Sequence, residues 1–168
     1  MPTALHRRIL GPYWSAPPPP EAGLFVESIQ IHSAARQTLQ HQLTACGTWQ
    51  SGYLFGQVVD EVLQITAAAP MTYPGRDAGS YALGFLDALR ATDDSTDWVG
   101  SWFTAPDDHV PDLAVSFQRF DDGQRVAEFA EQRVLLCFGA QEGRLTFTAL
   151  RALDMDLVPE VLTVTLAT

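Results

Sequence analysis

Lysine and asparagine are both absent from this 168-residue chain, and all ten of its basic residues are arginines. Without lysine, Schiff-base catalysis through a side-chain amine is excluded. Codon usage in a GC-rich genome accounts for both absences without a functional cause. Cysteine is nearly missing too: Cys46 and Cys137 stand far apart, with no CxxC. That pattern argues against a disulfide framework or a cysteine zinc site and predicts two buried, reduced thiols. No apolar run approaches the ~18 residues of a membrane span. The opening MPTALHRRILGPYWSAPPPP has a basic pair but neither a long apolar stretch nor a clear cleavage site, so it does not read as a signal peptide. A cytoplasmic protein is expected. Positive charge is scarce, with ten basic residues against twenty acidic ones and a net charge of −10. Non-specific nucleic-acid binding needs clustered cations and is not expected. GxSxG, P-loop and dinucleotide fingerprints do not occur.

What is present is a chain 46% hydrophobic, long enough for one domain with a packed core. Residues 1–23 read as a proline-rich arm, with Pro17 to Pro20 in succession, and residues 24–168 as the domain. Tyr13 and Trp14 just before the prolines are suited to anchor the arm, on the domain or on a partner. LFVESIQI predicts a strand. SAARQTLQHQLTACG puts Ala35, Leu39, Leu43 and Cys46 on one helical face, with Ser33 as cap, Gly47 as stop and His41 on the polar side. SGYLFGQVV and EVLQITAAAP predict a hairpin turning near Asp60. A second helix is expected from Ser80, with Tyr81, Phe85 and Leu89 buried, followed by the acidic loop ATDDSTD and the strand WVGSWF. Asp112 is placed to cap a third helix with Leu113, Phe117 and Phe120 inward. RVLLCFG and RLTFTALRA predict another hairpin. Leu162, Val164 and Leu166 alternate as in a final strand. The order implies a mixed sheet with helices packed on it.

Three segments carry a resemblance beyond this pattern. They are GYLFG (52–56) with its strand ending at Ala69-Pro70, SYALGFLDALR followed by WVGSW, and RVLLCFGAQEGRLTFTALRA. In this order they resemble the JAMM/MPN metalloprotease family over about Phe25 to Leu153. The resemblance implies an α/β fold: a mixed central β-sheet flanked by helices, of JAB/MPN-like (cytidine-deaminase-like) architecture. Active members of that family hold zinc with two histidines and an aspartate beside a glutamate that works as general acid/base. Here the family's His-x-His-Pro falls on Phe103, Thr104, Ala105 and Pro106, and its glutamate on Trp49. Its Ser-x-x-Asp falls on Asp112 and Val115, or on Leu113 and Ser116, and neither pair supplies both groups. Phenylalanine and alanine offer a metal no lone pair.

The resemblance therefore implies a pseudoenzyme with no catalytic residues, no metal and no cofactor. Its expected role is a protein-interaction or scaffold module, pairing with an active relative or taking a ubiquitin-like or peptide ligand, as a homo- or heterodimer. Trp49, Trp102 and Phe103 would line the vacated cleft near Ala105 and His109, and a peptide could add there as a strand. Ordinary core packing explains each aromatic equally well. The alternative is a metal-dependent isopeptidase or peptidase with displaced ligands drawn from Asp107, Asp108, His109 and Asp112. The competing view of DDHVPD is a solvated acidic loop.

Overall fold

A computed structural model describes residues 26–43, 47–70, 97–125, 134–151 and 159–168. Two hairpins are its most local features, and both turn as their sequences direct. Strands β2 (Gln50–Val59) and β3 (Val62–Pro70) pair in antiparallel register through Val59 and Val62. The two-residue loop between them places Asp60 and Glu61 at φ of 49° and 65°. Two successive left-handed residues are what a type I′ turn requires, because that turn matches the twist of the flanking strands. The second hairpin repeats the device. Its strands, β5 (Val134–Gln141) and β6 (Arg144–Arg151), turn through Glu142 and Gly143 at φ of 52° and 75°.

Strand β4 (Asp97–Thr104) lies antiparallel to β2 and parallel to β5. The parallel pairing requires a crossover, which contains helix α2 (Leu113–Arg125). Strand β7 (Glu160–Leu166) continues from β6. The four residues of β1 (Ser28–Ile31) then pair parallel to β3 on one side and to β7 on the other. This closes a seven-stranded barrel in the order β1-β3-β2-β4-β5-β6-β7. The α/β arrangement expected from the JAMM/MPN resemblance is thereby overturned. The sheet is a closed ring, not an open one flanked by helices, and two helices are found among the described residues.

Helix α1 (Ser33–Leu43) follows β1 directly, and Ala35, Leu39 and Leu43 enter the core as the spacing predicts. Its first helical hydrogen bond, from the Arg36 amide to the His32 carbonyl, makes His32 the capping position. The expected cap, Ser33, is exposed in the first turn. The barrel interior is filled by the inward sides of the strands, including Ile29, Ile31, Leu54, Leu63, Trp102 and Phe138. At the point where the chain enters β1, the buried Arg151 donates to the Val26 carbonyl at 2.7 Å. Burial pushes that guanidinium's pKa down and Glu160, its cross-strand partner, opposes the shift. The second helix expected from Ser80, Cys46, Tyr13 and Trp14 lie outside the described residues. Among those described, no helix is long and apolar enough to cross a membrane.

Candidate functional site

The geometry of the site begins with one extra residue in a strand. Leu54 pairs with Gly100 and Phe55 with Trp98, leaving Val99 as a bulge in β4. The pleat shifts there, so Trp98 and Trp102 emerge on opposite sides of the wall although they are four residues apart. Trp98 stands with Phe55 and meets Tyr53 edge-on at 6.2 Å. Trp102 points inward opposite Gly52, and its Nε1 donates to the Ala69 carbonyl at 3.1 Å. A Cβ at position 52 would collide with the Trp102 ring and the Ala69 oxygen, so the glycine is a steric requirement. Trp102 therefore belongs to the interior core and does not share a cleft with Trp49.

The next residue, Phe103, faces outward with Ser51 and Cys137 as its cross-strand neighbours. Trp49, on the lead-in to β2, lies flat on it, with ring centroids 4.8 Å apart and planes 3° from parallel. The Arg119 guanidinium sits 5.8 Å from the Phe103 centroid. Phe103 is almost covered, whereas Trp49 remains 54% exposed. Together with Ala114, Val115, Gln118 and Arg119 of α2, the two rings line an open groove of about 490 Å³.

Helix α2 is held against the barrel from its second turn onward. Phe120 is buried with Phe103, Leu135, Cys137 and Leu150, and Phe117 packs against them. Asp112 caps the helix as predicted, accepting from the Val115 amide at 2.8 Å. The first turn stands clear of the barrel. Leu113, expected in the buried stripe, is half exposed, and Val115 is exposed beside it. The run Leu113-Ala114-Val115 is wider than one helical stripe needs, and that excess is the sequence signal that would have pointed to this helix as a wall of the groove.

Cys137 lies behind Phe103 as a buried free thiol. Burial pushes its pKa up to about 11, against smaller opposing effects from the Ser116 hydrogen bond and Arg119. It stays protonated at neutral pH and is a poor nucleophile. Ala105 is buried and does not line the groove. His109 is exposed on the following loop, its Nδ1 2.8 Å from the Asp107 carbonyl oxygen. That loop is tied to β5 by the Ala140 amide, which donates to the Asp108 carbonyl at 2.6 Å, and by the close approach of Gly139 to His109 and Val110. Asp107, Asp108, His109 and Asp112 do not converge, and no group of three or more His, Cys, Asp or Glu able to hold a metal ion occurs among the described residues. The structure thus brings together Trp49 and Phe103 from the residues singled out in the sequence. It disperses Trp102, Ala105 and His109, and it adds four residues of α2.

No family profile and no curated protein matches the chain. A search of solved structures does find the barrel. The solution structure of protein DSY2949 from Desulfitobacterium hafniense is similar over 83% of this chain and 92% of that one, with a TM-score of 0.57 and 12% identity. At that identity the likeness is one of fold alone. It agrees with the closed barrel and not with the JAB/MPN-like architecture that the resemblance implied.

Proposed function

We propose that this protein is a non-catalytic binding module that takes a short, extended segment of a partner protein, with an aromatic or proline side chain seated in the groove beside Trp49. The observation that carries this reading is the stacked Trp49–Phe103 pair, half of it open to solvent, next to the exposed apolar first turn of α2. An isolated exposed apolar residue needs no explanation, but the exposed Trp49 and Val115 line one groove with polar Gln118 and Arg119, and Leu113 is exposed in the same turn of α2 as Val115. Such rimmed apolar patches mark interaction sites, and tryptophan anchors are enriched among binding hot spots. The indole comes ready-positioned by its stack, so little side-chain entropy is lost when a ligand covers it.

The mode of binding differs from the strand addition that the sequence led us to expect. Residues 101–104 of β4 are already paired on both sides, by β2 and by β5, so the groove offers no free edge there. Side-chain contacts with the rings and α2 would carry the affinity. The test is selection of short random peptides on the full chain, repeated with Trp49→Ala and Val115→Glu. Removing the indole is expected to weaken selected peptides by ~2 kcal/mol, roughly thirtyfold, as for a hot-spot aromatic. Because Trp49 is half exposed, thermal stability should change by less than about 1 kcal/mol. Peptides that bind equally well to both variants would refute the reading.

A further inference from the structure

We infer that the peptide held in the Trp49 groove carries a carboxylate, within three residues of its anchoring side chain, and that Arg119 grips it. This rests on the groove being a peptide site, and it names the class of peptide. Three features converge on it: the sign of the charge in the groove, the distance of that charge from the anchor, and the opposite charge farther along the same face of α2.

Of the six described residues that line the groove, Arg119 alone is charged, and it stands there in a chain of net charge −10. Its guanidinium lies 5.8 Å from the Phe103 centroid, and Phe103 in turn stacks with Trp49 at 4.8 Å. One ring thus positions both the indole and the cation. The guanidinium carbon is therefore at most about 11 Å from the indole centre, a distance that three extended residues span. A peptide anchored on Trp49 reaches Arg119 with a group three residues away or nearer. A guanidinium presents five N–H donors in a planar fork, so contact with an aromatic ring is compatible with a bidentate grip on a carboxylate. The apolar walls beside it, Phe103 and Val115, reduce screening by water and strengthen the pair.

Toward the start of α2 the sign reverses. Asp112, Val115 and Arg119 follow one another at i, i+3 and i+7, a single stripe running from the cap of the helix, with the two charges about 10 Å apart along the axis. Asp112 is exposed, and so is Asp107 on the loop before it. A carboxylate on that side of the peptide meets repulsion, whereas an arginine or lysine meets attraction. The favoured peptide is therefore acidic on the Arg119 side of its anchor and neutral or basic on the Asp112 side.

The experiment takes peptides selected on the full chain that depend on Trp49 and remakes each with its acids changed to the matching amides, and with its C-terminus free or amidated. Affinity for the wild-type chain is expected to fall about tenfold when the gripped carboxylate is neutralised, since a charge-assisted hydrogen bond is lost. A loss seen only on amidation of the terminus assigns the carboxylate to a peptide end, and a loss seen only at a side chain assigns it to aspartate or glutamate. Arg119→Glu should reverse the preference, taking peptides with lysine in place of the acid over their parents. Asp112→Asn should relax the discrimination against acids on its side, and asparagine still caps the helix. The peptide series needs no variant of the protein, so it decides the question even where Arg119→Glu does not fold. Neutralised peptides that bind as tightly as their parents overturn the inference while the binding module stands, as do Trp49-dependent peptides that carry no carboxylate. If no peptide depends on Trp49, the binding-module reading falls and this inference falls with it.

Discussion

Cys137 shows how far a single residue's chemistry is set by its surroundings. A thiol with a pKa near 11 in the folded chain and an ordinary value in the unfolded one makes stability depend on pH. The sign follows from proton counting. Above the unfolded pKa of about 9 the unfolded chain loses the proton while the folded chain keeps it, so stability is full below pH 9 and falls between about 9 and 11. The loss is about 3 kcal/mol at most, since each tenfold difference in proton affinity between the two states is worth ~1.4 kcal/mol. Denaturant midpoints measured from pH 8 to 11 should decline more steeply in the wild type than in Cys137→Ala. Equal slopes would mean that another group governs the alkaline limb. The same burial that raises the pKa makes Cys137 slow toward thiol reagents, in keeping with its place under Phe103 and not in the open groove.

At the scale of elements, the hairpins are the most self-sufficient parts. The Asp60-Glu61 turn uses two left-handed residues with no glycine, whereas the Glu142-Gly143 turn has a glycine in its second place. A glutamate in the left-handed region costs about 1 kcal/mol relative to an unstrained backbone. Glu61→Gly should therefore stabilise the protein, by roughly 0.5–1 kcal/mol once the added freedom of the unfolded chain is counted. A higher thermal midpoint with an unchanged denaturant slope would confirm it, and a lower midpoint would show that the Glu61 side chain contributes more than its backbone costs. Helix α2 is a different kind of element. Its cap and its inward residues from Ser116 onward obey local rules, while its first turn departs from them by leaving Leu113 and Val115 in solvent. That departure is where the groove lies.

For the molecule as a whole, the decisive element is the shortest. β1 has four residues, yet it alone joins β3 to β7 and turns a curved sheet into a ring. A proline at Gln30 keeps the buried neighbours Ile29 and Ile31 but breaks the ladder at the seam, where strand interiors do not tolerate it. Since a domain is stable by only ~5–15 kcal/mol, Gln30→Pro should abolish cooperative unfolding, read by loss of near-ultraviolet dichroism from the buried tryptophans. Retention of a sharp transition would mean that the barrel tolerates an open seam.

Both hairpins, the strand character of β1, β4 and β7, the inward face of α1 and the cap of α2 were legible in the residues alone. Each rests on contacts between residues close in the chain, so turn chemistry and periodicity are enough to read them. Trp49 and Phe103 also stood out in the sequence, though as the lining of a vacated cleft in an α/β architecture that the barrel replaces. Closure of the barrel, the bulge at Val99 that sends Trp102 inward, and the meeting of Trp49 with Phe103 and α2 came from the three-dimensional fold. Those depend on which distant edges pair and in what register, and an alternating strand looks the same in an open sheet as in a ring. A one-residue shift in the pleat exchanges core for surface, and only long-range packing selects which side wins.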